Sequence, residues 1–158
     1  MDPIRQNVIG TAQRELGTSE EPDNSNRTPY GKWYGMNGVS WCAIFVSWVF
    51  NKAGVPLGKI DSLNGYHYCP SALNFFKKMG CVTDDPKPGD LVFFDWQGDK
   101  LSDHTGIFVG WVDKGKTEFI TIEGNTSLKN QSDGGQVMER HRFTSRVIAF
   151  VKPLVYKD

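Results

Sequence analysis

Charge of one sign is what this chain lacks most plainly: 18 lysines and arginines meet 18 aspartates and glutamates over 158 residues, and the formal net charge is zero. Such a balance gives no general field to draw in nucleic acid or an anionic membrane, so any hold on a polyanion has to be local. Long apolar runs are missing as well. The N-terminus, Met1-Asp2-Pro3-Ile4-Arg5-Gln6, carries no apolar signal-peptide core, and no later stretch is long enough to span a bilayer. The expectation is a chain made in the cytoplasm, without membrane insertion, that acts elsewhere only after release. Cysteine is scarce and odd in number. Cys42, Cys69 and Cys81 do not suggest a disulfide framework, and a bridge between Cys69 and Cys81 is less expected than two free, buried thiols. A zinc site from His67, Cys69, Cys81 and His104 lacks the closely paired ligands of a Cys-x-x-Cys kind. Internal repeats and low-complexity segments are also absent, and the length suits one domain spanning 1–158.

What is there divides into helices first and strands second. Asp2 and Pro3 open a helix in which Ile4, Val8, Ala12 and Leu16 recur at helical spacing until Gly17, an amphipathic element expected to cover the next long helix. Residues 18–38 are polar and turn-rich and read as a loop. An apolar helix follows Val39-Ser40-Trp41-Cys42, with Ser40 able to cap it and Gly54 able to end it, and a further helix spans Ser71 to Met79. Strands are expected at Leu91–Trp96, His104–Val112, Glu118–Glu123, Gln136–Arg140 and Val147–Val151, with Asp113-Lys114-Gly115-Lys116 as a hairpin turn. Alternation in the second strand puts Ile107, Val109 and Trp111 on one face and His104, Gly106, Phe108 and Gly110 on the other. The pattern is α+β, N-terminal helices packed against a C-terminal antiparallel sheet.

Chemistry concentrates at Cys42. In the first turn of its helix, unpaired backbone N–H groups and the helix dipole favour thiolate over thiol, and the Cys42 N–H is a natural donor to a developing oxyanion. His104 offers a base at the start of a strand. Glu123 offers a carboxylate to fix the histidine tautomer, and Asn125 lies on the same face if the strand is still extended there, where it can orient the histidine or assist the oxyanion. Cysteine, then histidine, then an acid or amide is the chain order of papain-like hydrolases. Taken singly, Cys42 and His104 are ordinary core residues; the set of three is what points to catalysis.

Trp33-Tyr34-Gly35, Trp41-Cys42-Ala43 with Phe45-Val46-Ser47-Trp48, Pro88-Gly89-Asp90-Leu91-Val92-Phe93-Phe94, His104-Thr105-Gly106-Ile107 and Glu123-Gly124-Asn125-Thr126 together resemble the CHAP domains, the cysteine, histidine-dependent amidohydrolases and peptidases of phage lysins and bacterial cell-wall hydrolases. The resemblance runs from Ile4 to Pro153. It implies a papain-like fold of the NlpC/P60 type and a peptidoglycan substrate, cut at the N-acetylmuramoyl-L-alanine amide or, alternatively, within the stem or cross-bridge. An interbacterial toxin on the same fold and a non-catalytic wall-binding domain are the other classes in play, the latter disfavoured by the intact Cys42, His104 and Glu123. Trp33, Tyr34 and Trp41 are candidates to line a substrate groove. No cofactor is required by this chemistry, but Asp23, Asn24 and Asn26, in the acidic stretch from Glu20, have oxygens that can bind Ca2+, as some lysin CHAP domains do before the nucleophile. Wall targeting would come from this domain, from a partner subunit or from a further region.

Overall fold

The computed structural model describes residues 1–127 and 134–158. Among these, four α-helices precede six strands: α1 (Pro3–Gln13), α2 (Pro29–Tyr34), α3 (Cys42–Lys52), α4 (Cys69–Lys78), β1 (Val82–Thr83), β2 (Leu91–Phe94), β3 (His104–Trp111), β4 (Glu118–Thr126), β5 (Gln136–Phe143) and β6 (Val147–Val151). The strands form one antiparallel sheet in the order β1-β6-β2-β3-β4-β5, so the α+β reading holds. No helix among the described residues is long and apolar enough to cross a membrane.

α3 is the hub. Eight of its eleven residues, Cys42 to Ser47 with Val49 and Phe50, are buried, which suits a helix that is apolar nearly all round and packs on β3 and β4. α1 lies beside it, capped by the Asp2 carboxylate on the Ile4 N–H, and ends at Gln13, earlier than its apolar spacing suggests. Val8 and Ala12 are buried, but Ile4 and Leu16 are exposed. The buried charge on this helix is Arg5, whose guanidinium bonds Asp90 and the C-terminal Asp158, each at 2.8 Å, and stacks on Tyr156. A buried arginine is tolerated only when its donors are met in this way.

The polar stretch expected to be a loop contains α2. Thr28 Oγ1 accepts from the Gly31 N–H, Pro29 fills the first turn, and Gly35 ends the helix in the left-handed region, all signals present in Thr28-Pro29 and Gly35. β1 was not expected, and β4 and β5 run three residues longer than their expected ends. The facial assignment of β3 fails at its end: the register shifts between Phe108 and Gly110, and Trp111 joins Phe108, Phe119, Val92 and Phe94 in a second cluster instead of following Ile107 into the main core.

Candidate active site

Cys42 is the first residue of α3, and the helix begins without a side-chain cap: Trp41 holds the capping position. Ser40, expected there, instead accepts a 2.8 Å hydrogen bond from Asn125 Nδ2. The backbone donors of the first turn therefore have no competing side-chain oxygen at the cap.

His104, the first residue of β3, is wholly buried, with its ring against Phe94 and Trp96. Its Nε2 lies 2.8 Å from Glu123 Oε1. Nδ1 is buried without a hydrogen-bond partner among the described residues and is the ring nitrogen left for Cys42, whose thiol is near enough to act on the ring. Glu123 is fully buried too, and four donors converge on it: the histidine ring, Thr121 Oγ1 at 2.6 Å, and Arg142 through Nε at 2.8 Å and Nη2 at 2.5 Å. Arg142 is itself buried and lies over the rings of Phe94 and Trp96. Gly106 makes this packing feasible, since a Cβ there would stand 2.7 Å from Glu123 Cγ; the space beside the histidine belongs to the carboxylate.

These contacts polarise the site. Cys42 is held well below its ordinary value, first by a hydrogen bond from Cys69, against the opposing effect of burial, and then by the His104 charge, a His104 hydrogen bond and the Thr105 N–H. Burial would lower His104, but the charges of Glu123 and Cys42 outweigh it and raise the imidazole to about 9. Burial would raise Glu123, yet His104 and Arg142 bring it down to about 2. The directions of these shifts favour a thiolate, an imidazolium and a carboxylate together, with a guanidinium against the carboxylate.

Cys69 opens α4 and lines the same cavity as Cys42, a cleft of about 310 Å3 whose walls include Ser40, His67, Tyr68 and Ser102. Its placement comes from the connection after α3. Ser47 Oγ accepts from the Tyr66 N–H and lies 2.8 Å from Tyr66 O, at a close approach that only Gly65 permits, because a Cβ there would meet Ser47 Oγ at 2.6 Å with φ at +109°. The Asp61 carboxylate then takes the N–H groups of His67 and Tyr68 and the Ser71 hydroxyl, fixing the start of α4.

The three expected groove aromatics are not at this cleft. Trp41 is core: its ring is fully buried against Tyr30, and its Nε1 donates to Glu20 Oε1 at 3.1 Å. Tyr34 is buried, with its hydroxyl on Gly65 O, and Trp33 is half-buried beside it; neither lines the cavity at Cys42. Asn125 departs from its expectation as well, because β4 is not extended there. A bulge separates Glu123 from Thr126, Asn125 has φ of +57°, and its amide reaches Ser40 rather than His104. Gly124 between them packs so closely on α3 that a Cβ would stand 2.7 Å from Phe45.

The acidic stretch loses Glu20 to Trp41, while Asp23 and Asn24 are exposed and Asn26 half-buried. Among the described residues the one group of three potential metal ligands is Asp95, Asp99 and Asp103, which includes none of the residues of the expected calcium loop or zinc set, and these carboxylates already accept backbone N–H groups. All three cysteines are free and buried. Arg142 and Cys69 are the site residues that the sequence did not reveal.

A family model described as CHAP domain matches residues 33–125, more than half of the chain. A search by sequence finds no curated protein that matches. Among solved structures the fold is similar to that of a wild-type endolysin, LysIME-EF1, with a TM-score of 0.57 at 13% identity, over 97% of this chain and 65% of that one. The chain thus spans just under two thirds of that endolysin chain, and the likeness is one of fold, α+β and papain-like.

Proposed function

The chain belongs to the CHAP domain family, and from that premise we propose that it is a peptidoglycan hydrolase that cleaves an amide bond with Cys42 as nucleophile. The observation that carries this is the buried line from Cys42 through His104 to Glu123 and Arg142. Burying four ionised groups together costs several kcal/mol of desolvation per ion unless each is paired, and a non-catalytic wall-binding domain has no use for the arrangement. The endolysin neighbour supports the substrate class through its fold alone.

In this mechanism the Cys42 thiolate attacks the amide carbonyl, and the Cys42 N–H at the start of α3 donates to the oxyanion. His104, already protonated, gives its Nδ1 proton to the leaving amine and then serves as base for the water that hydrolyses the thioester. Glu123 keeps the ring in register and balances its charge, while Arg142 and Thr121 keep Glu123 ionised and aimed. The N-acetylmuramoyl-L-alanine amide is the first bond to examine, with stem and cross-bridge peptide bonds as the alternative.

The test is digestion of purified peptidoglycan by the wild type and by Cys42→Ala, with fragments identified by mass spectrometry. Stem peptides with a free alanine amino terminus are expected; cut stems or cross-bridges would keep the hydrolase and change the bond. Loss of the nucleophile should lower the rate at least about a thousandfold. Undiminished release by Cys42→Ala, or none by the wild type, overturns the reading.

A further inference from the structure

The amide-hydrolysis mechanism leaves one reactive group in the cleft unused. Cys69 lines the same cavity as Cys42, and each of the two thiols is the main influence on the other's ionisation. Both are first residues of their helices, so each presents its sulfur at a helix N-terminus, and both are almost entirely buried. Both cysteines are held at this cavity, Cys42 by the packing of α3 on the sheet and Cys69 by the Ser47–Tyr66 and Asp61 bonds before α4. Cys81 is excluded from this pair: it follows the far end of α4, and ten helical residues put about 15 Å between the two ends of the helix.

We propose that Cys69 is a covalent modification site, a resolving thiol that captures Cys42 after peroxide has oxidised it and closes a Cys42–Cys69 disulfide. Hydrogen peroxide, small enough for the cleft, is the co-reactant. The Cys42 thiolate attacks one peroxide oxygen, an S–O bond forms as the O–O bond breaks, and the departing hydroxide takes a proton and leaves as water. Cys69 then gives up its proton and attacks the Cys42 sulfur; the S–S bond forms, the S–O bond breaks, and a second water leaves. Two thiols are oxidised by two electrons in all, and one peroxide is reduced to two waters. The disulfide occupies the nucleophile and spares it from sulfinic and sulfonic acid, so a dithiol restores the enzyme. This inference rests on Cys42 being the reactive thiolate of the proposed function, not on which bond is cut.

The experiment is a peroxide titration of the whole protein, with free thiols then blocked by iodoacetamide and a non-reducing peptide map recorded. In the wild type a linked peptide pair containing Cys42 and Cys69 is expected, with hydrolysis lost in parallel and recovered on dithiothreitol. Cys69→Ala, scored against its own untreated rate, should recover less than half, with Cys42 found as sulfinic or sulfonic acid. Oxidised Cys42 with no link to Cys69, a link to Cys81, or equal recovery in the two proteins overturns the proposal. The map of the wild type decides alone should the variant fail to fold. It also needs no substrate: a protein that forms the link yet digests no peptidoglycan would refute the proposed function and support this site.

Discussion

The starts of α3 and α4 place two cysteines in nearly the same position and give them opposite chemistry. Cys42 and Cys69 each open a helix that has no side-chain cap, each is almost fully buried, and the two face one cleft. Yet Cys42 is held well below the ordinary thiol value, while Cys69 is pushed well above it, chiefly by its hydrogen bond to Cys42 and by burial. A helix N-terminus alone therefore does not make a thiolate here. What separates the two is the imidazolium of His104 and the Thr105 N–H, which only Cys42 has. Once one thiol of the pair is ionised, the other serves it best as a donor.

The sharpest way to break this contrast is His104→Gln. Hydrolysis should fall roughly ten-thousandfold, as expected when a base that works as a unit with its nucleophile is removed. The iodoacetamide reactivity of Cys42 at pH 7 should drop with it, bringing the two cysteines closer together; retained reactivity would mean that the helix, not the histidine, ionises Cys42. Next comes the guanidinium. Arg142→Gln strips Glu123 of its bidentate partner, so kcat should fall about ten- to a hundredfold with KM little changed. The acid limb of the pH profile should move upward, because Glu123 is no longer held at about 2. Arg142→Lys, which keeps the charge but loses the fork, should not restore the rate; full rescue would reduce Arg142 to a charge.

A smaller effect attaches to pH and stability in the wild type. Glu123 is depressed from 4.5, so its contribution is complete above about 4.5 and is lost as pH falls toward about 2. His104 is raised from 6.5, so its contribution is complete below about 6.5 and is lost as pH rises through about 9. Thermal unfolding should show Tm highest between these bounds, and hydrolysis should decline above about 9 as the proton for the leaving amine is lost. A Tm that is flat across both windows would detach the ion line from stability. Removal of Ca2+ with a chelator should change activity least, by less than about twofold, because Glu20 is turned into the core and few strong oxygen ligands remain on its loop. A large loss restored by Ca2+ would return the ion to Asp23, Asn24 and Asn26.

The sequence was informative wherever a residue's role was local. The apolar helix after Trp41, the apolar run of β2 and the start of β3 carry their own signals, and with them the places of Cys42 and His104. α2 carried a signal too, a threonine cap before a proline, but its polar neighbours masked it. Other features are properties of pairing. Arg142 sits in a strand of charged residues that reads as solvated, and its burial is intelligible only once β5 lies beside β4 and Glu123 needs a cation. Cys69 lies 27 residues after Cys42, and only the bonds from Ser47 and Asp61 bring it back. Trp41 misled for the same reason: its partner, Glu20, comes from a stretch that looked wholly exposed.

The stack of Trp96 on Phe94, beneath the Arg142 guanidinium and 6.1 Å from the His104 ring, gives the site an optical consequence. A protonated imidazole quenches a nearby indole more strongly than a neutral one. Trp96 is one of five tryptophans in the chain, and it is the one whose ring lies beside that of His104. Subtracting the emission of a Trp96→Phe protein from that of the wild type isolates a built-in fluorophore whose brightness follows the proton on His104.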